Sequence, residues 1–278
     1  MANKKTTSAA SKPTVQEKTT TKVTTVKAVE SHTAKKQRSR GEFLRKLTST
    51  PVLASALAEF VGAFLLTAIV LTQQNQPIAV LFGALGIVLL IGGLSGAHFN
   101  PIATVGAWTT KRIDSVRAVS YLIAQTLGAM LALVVLNAFI AQAPAVSAEA
   151  ASLGQAGPTI FKAAAITANK EWALLYAELL GAMILGLAYA SALRFKKDKA
   201  VSALTIAAGY FVALVVAGTV ATYTSASVIL NPVVAIAAEA INFKTVWPVA
   251  IYVLTSIVGG VLGFALYDLL KKAEEEKE

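Results

Sequence analysis

The chain has 278 residues, 55% of them hydrophobic and 14% charged, with a mean hydropathy of +0.63 and a formal net charge of +10. So little charge cannot cover the surface of a soluble domain of this length, and the apolar residues fall in blocks of about 20, the length a helix needs to cross a bilayer. The absence of cysteine excludes disulfides, zinc–thiolate sites and thiol catalysis, and two histidines, His32 and His98, are too few for a histidine-rich metal site, so no cofactor or metal is expected.

Residues 1–48 hold twelve of the 25 Lys and Arg, opposed only by Glu17, Glu30 and Glu42. This Thr-, Lys-, Ala- and Ser-rich stretch lacks the large apolar side chains that a fold must bury. It reads as a disordered basic tail, and no apolar h-region follows its first lysines. Its simplest role is to help fix topology, and a sharper one is to touch anionic lipid or, less expectedly, nucleic acid. Nucleic acid is not an expected partner of the chain.

Six apolar blocks follow at 52–71, 78–94, 116–140, 171–193, 201–221 and 247–270. Two shorter apolar stretches, near 98–108 and 228–241, are too brief to span and suit re-entrant segments. Basic residues set the expected orientation. Lys111, Arg112 and Arg117 lie between blocks two and three, Arg194, Lys196, Lys197 and Lys199 between four and five, and Lys271 and Lys272 after six. With the tail, these regions fall on one side of an alternating six-span chain, which places both termini in the cytoplasm. The bilayer is therefore the first partner, and the cell or plasma membrane the expected location. The membrane domain is expected over 49–272, with half-repeats at about 52–140 and 171–270 and a charged tail at 273–278.

The halves repeat. Ala58-Glu59-Phe60-Val61-Gly62-Ala63 in block one matches Ala177-Glu178-Leu179-Leu180-Gly181-Ala182 in block four, and each short stretch carries an Asn-Pro pair. Three spans per half force the halves to enter the membrane from opposite sides, an inverted repeat with its site at the midplane. Asparagine caps a first helical turn and proline suits the position after it. Asn100-Pro101 and Asn231-Pro232 are thus expected to open two half-helices whose positive N-terminal ends meet at mid-membrane. There the amides can donate to a neutral solute while cations are repelled.

The segment Ser95-Gly96-Ala97-His98-Phe99-Asn100-Pro101 resembles the first signature loop of aquaporins. Glu59 with Gly62, Gln125, Glu178 and Gly259-Gly260 also resemble family positions, over about residues 52–270. The resemblance implies an all-α fold of six transmembrane helices plus two re-entrant half-helices. It also implies a homotetramer with one pore per subunit, passing water or small neutral solutes. Glu59 and Glu178 would hold the half-helix loops, and His98 would line the cytoplasmic vestibule.

The second signature departs from the family. The motifs read Asn100-Pro101-Ile102 and Asn231-Pro232-Val233, and Val234 stands where the family usually has arginine. The resemblance implies an outer constriction at that position, and counting from the nearest asparagine assigns it to Val80, Thr219, Val228 and Val234. Such a wall is uncharged, with one hydroxyl. The expectation is a passive channel for water or other small uncharged solutes, with a wider pore for glycerol, urea, ammonia or gas as the alternative, and a non-conducting membrane scaffold as another. No nucleophile–base set or phosphate loop points to an enzyme.

Overall fold

Proline and small polar caps set where the helices begin. The computed structural model describes residues 41–144, 146–154, 157–195 and 197–277. Helix α1 runs Thr50–Thr72 with Pro51 in its first turn, and α2 runs Pro77–Ser95. The short α3 spans Pro101–Thr109. Helix α4 spans Ser115–Ile140, capped by Asp114, whose carboxylate accepts from the Arg117 N–H at 2.8 Å. A short α5, Ala148–Ser152, lies in the long connection to α6, Glu171–Ala192. Helix α7 spans Lys199–Ala221, its first N–H groups bound by Asp198 at 3.1 Å. The second short helix, α8, is Pro232–Ala237, and α9 covers Val246–Glu275.

Among the described residues, six helices are long and apolar enough to cross a membrane. Even α2, with 19 residues, reaches about 28 Å at a rise of about 1.5 Å per residue. Large apolar side chains such as Leu57, Phe82, Leu90 and Val134 remain exposed on their outer faces, which suits lipid rather than water. The expected basic tail falls outside the described residues up to residue 40, and residues 41–47 form a short helical turn with a Glu42–Lys46 ion pair at 3.3 Å. At the other end α9 continues to Glu275, so part of the expected charged tail is helical.

The packing repeats between halves. Helix α1 lies along α4, and α6 lies along α9. The short helices cross over: α3 seats on α9 of the other half, and α8 on α4. Small residues permit the close approaches. A Cβ on Gly128 would collide with the Phe60 carbonyl oxygen, and one on Gly186 with that of Gly260. Residues Ala250–Thr255 of α9 form a π-helical stretch, which delivers Ser256 to the site described next.

Because successive spans run in alternate directions, the bundle has two distinct ends. One carries Arg112, Arg117 and Lys199 and is here called the basic end. The opposite end carries the 73–76 turn and the long 141–170 connection.

Candidate functional site

Two buried carboxylates organise the segments leading into the short helices. Glu59 on α1 accepts the N–H groups of His98 at 2.9 Å and Phe99 at 2.5 Å, and the Gln125 amide at 2.7 Å. Glu178 on α6 accepts the N–H groups of Ile229 at 2.7 Å and Leu230 at 3.3 Å, and the Ser256 hydroxyl at 2.9 Å. These bonds hold Phe99 and Leu230 at φ of 34° and 53°, a left-handed region that side chains avoid. The consequence is a sharp reversal just before each asparagine.

Asn100 and Asn231 then cap α3 and α8. The Asn100 side-chain oxygen accepts from the Ile102 N–H at 2.9 Å, and that of Asn231 from Val233 and Val234 at 3.2 and 3.4 Å. Their amide nitrogens reach across the halves. Asn100 Nδ2 donates to the Leu230 carbonyl at 2.9 Å, and Asn231 Nδ2 to the Phe99 carbonyl at 3.4 Å. Each asparagine thus bonds the residue that precedes the other. Pro101 and Pro232, both buried, occupy the first helical positions beside them.

The two asparagines differ in one respect. Asn100 spends its second amide hydrogen on the Tyr210 hydroxyl, at 3.0 Å. Tyr189 O–H donates to the His98 carbonyl at 2.7 Å, and the two tyrosine hydroxyls stand 3.3 Å apart. The Phe99 ring stacks on Tyr210 and meets Tyr189 edge-on. His98, 4% exposed, faces Thr104 through Nδ1 at 3.3 Å and packs edge-on to Tyr121.

A cavity opens from each end. At the basic end it measures about 440 Å³ and is lined by His98, Arg112, Arg117 and Lys199 among others. Arg112 is held by Asp268 at 2.6 Å. At the opposite end one cavity measures about 260 Å³, with Asn75, Phe161, Leu214, Gly218, Ala221 and Val228 in its wall, and another of about 400 Å³ is lined by Ile166, Glu171, Glu239 and Trp247 among others.

The sequence-derived constriction needs one correction. Thr219 lies on the exposed face of α7 and turns its hydroxyl back to the Val215 carbonyl at 2.8 Å. Gly218, one residue earlier, lines the cavity instead. One residue is about 100° of helix rotation, enough to carry a side chain out of the wall. Val228 lines that cavity, while Val80 and Val234 are each 1% exposed, Val80 in the first turn of α2 and Val234 in that of α8. Sequence reasoning missed Tyr189, Tyr210, Phe161 and Gly218. For the tyrosines a signal existed, since a hydroxyl in mid-span demands a partner.

Six spans and two crossed half-helices, each opened by an asparagine that bonds the other half, define an integral membrane protein of inverted-repeat build. The profile of the family described as "Major intrinsic protein" matches residues 46–267, and the chain belongs to that family. Glycerol uptake facilitator protein-like 6 of Lactiplantibacillus plantarum is 36% identical over 108 residues, 36% of this chain and 48% of that protein. Aquaporin-1 of Ovis aries is 39% identical over 75 residues, covering 26% of this chain and 27% of its own. Nodulin-26 of Glycine max is 33% identical over 99 residues, 31% of this chain and 36% of its own. The matched segments span about half or less of these relatives' lengths. In fold, the chain is similar to the X-ray structure of the aquaglyceroporin from Plasmodium falciparum. The TM-score is 0.58 at 17% identity, over 82% of this chain and all of that one.

Proposed function

We propose that this protein is a passive channel for small uncharged molecules, water among them. The observation that carries the reading is the pair of asparagine amides bonded across the halves, between two cavities that open at opposite ends. Amide donors and the N-terminal end of α3 place partial positive charge at that level. A neutral oxygen is welcome there and a cation is not. The outer wall is formed by Val80, Val228 and Val234, with Gly218 in the place first assigned to Thr219. It carries no charge, so the exclusion of ions falls to the asparagine level.

In the membrane of the cell the basic end faces the cytoplasm, by the bias of Lys and Arg toward that side. Both termini are then cytoplasmic, and the cavity containing His98 is the inner vestibule. The channel domain covers 49–272. The subunits form a homotetramer with one pore each, a state that fits the broad apolar faces left on α1, α2 and α4.

Stopped-flow light scattering of proteoliposomes, under sucrose and then glycerol gradients, tests the reading. Shrinkage faster than matched empty vesicles, with low activation energy, is the expected result. Permeability equal to that of empty vesicles for both solutes would overturn it in favour of a membrane scaffold.

A further inference from the structure

The level just inside Asn100 is filled by three aromatic rings. Phe99 is wholly buried, and Tyr189 and Tyr210 are 3% and 2% exposed. Burial alone does not set this layer apart, since Val80 and Val234 of the outer wall are each 1% exposed, but its two tyrosines do. Their hydroxyls form a one-way chain. Asn100 donates to Tyr210, and Tyr189 donates to the His98 carbonyl. Because the Tyr189 hydrogen is spent on His98, the link between the tyrosines must be donated by Tyr210. At 3.3 Å that link is long for two hydroxyls, which settle at about 2.7–2.8 Å. It is the weakest bond of the chain, and the one that separating the rings would break. Tyr210 also holds the Asn100 hydrogen that a permeating oxygen would need.

Resting on the channel reading, we infer that the Phe99, Tyr189 and Tyr210 layer, rather than the outer valine wall, is where this channel selects its permeant, and that it selects water-sized hydroxylic molecules. A molecule entering between the two hydroxyls must accept from Tyr210 and donate to Tyr189 to replace the broken link. Water does both. An apolar molecule of the same size does neither and leaves buried hydroxyls unpaired. A polyol can make the bonds but meets the rings. The cavities on either side, about 260 and 440 Å³, are roomy by comparison and place no such demand.

The test compares wild type, Tyr210→Leu, Tyr189→Phe and Thr219→Val in proteoliposomes at equal protein density. Each is checked for a single symmetric peak in size-exclusion chromatography. Tyr210→Leu removes ring and hydroxyl and is expected to raise glycerol influx about tenfold, the lower range of what a close steric fit discriminates. Tyr189→Phe keeps the ring and cuts the chain, so water permeability rises with little glycerol influx. It supplies the answer if the leucine variant does not fold. Thr219→Val, on the exposed face of α7, leaves both unchanged. A conducting wild type whose water and glycerol permeabilities are matched by both tyrosine variants would overturn this inference and leave the channel standing. Empty-vesicle permeability in all four proteins would overturn the channel reading itself.

Discussion

Replacing Glu178 with alanine removes the acceptor for the Ile229 and Leu230 N–H groups and for the Ser256 hydroxyl, all in a wholly buried setting. Ser256 has a second acceptor in the Ile251 carbonyl at 3.4 Å, so its loss is small. The two backbone donors have no such alternative in a segment fixed by the left-handed Leu230. Leaving a buried donor unpaired costs about 1–3 kcal/mol, so Glu178→Ala destabilises the loop by about 2–6 kcal/mol. In a chain of this size that lowers the melting midpoint by on the order of 10 °C. Because Leu230 precedes Asn231, the asparagine amide should lose its place, and water permeability should fall with stability. Glu178→Gln keeps one oxygen and should lie between alanine and wild type. Thermal melting in detergent micelles, followed by vesicle shrinkage, measures both effects. An alanine variant that melts with wild type and conducts equally would refute the claim that this carboxylate holds the loop.

Asn231→Asp places a carboxylate at the crossed amides and is expected to admit cations, read as new conductance in planar bilayers. Unchanged ion conductance would remove the asparagine level from ion exclusion. Val234→Arg, made in the Tyr210→Leu background, should reduce glycerol influx more than water flux by narrowing the outer wall. Equal loss of both would place Val234 outside the wall. Gly128→Ala forces a Cβ onto the Phe60 backbone and should cost about 1–3 kcal/mol. Gly86→Ala meets nothing within 4 Å and should be neutral or slightly stabilising in the same melting assay.

The spans were legible because a helix in lipid must be apolar all round, and that signal survives without neighbours. Block 78–94 became Pro77–Ser95, and 116–140 became Ser115–Ile140. The half-helices were legible because Asn-Pro carries its own local geometry, a cap followed by a residue that needs no N–H partner. Thr219 was misplaced for a different reason. Counting back from Asn231 crosses the turn over 222–230, and one residue of slack there rotates α7 by a quarter turn or more. Phe161 was unreadable, since its position depends on a bond from its N–H to the Leu71 carbonyl at 2.7 Å across a long connection. The tyrosines hid inside apolar runs. Their role appears only when α6 and α7 bring both hydroxyls beside the asparagine.

The crossing of the short helices has a consequence for how the protein is made. Ile102 and Gly106 of α3 rest against Gly260 and Phe264, near the end of the chain. While a ribosome is still adding the second half, the first signature segment has no seat, and its capped turn must wait at the bilayer with its polar backbone only partly sheltered. Neither half is therefore a finished unit at birth. A nascent chain stopped after α4 would carry Asn100 without the Leu230 carbonyl it bonds, and α3 gains its seat only once α9 is made.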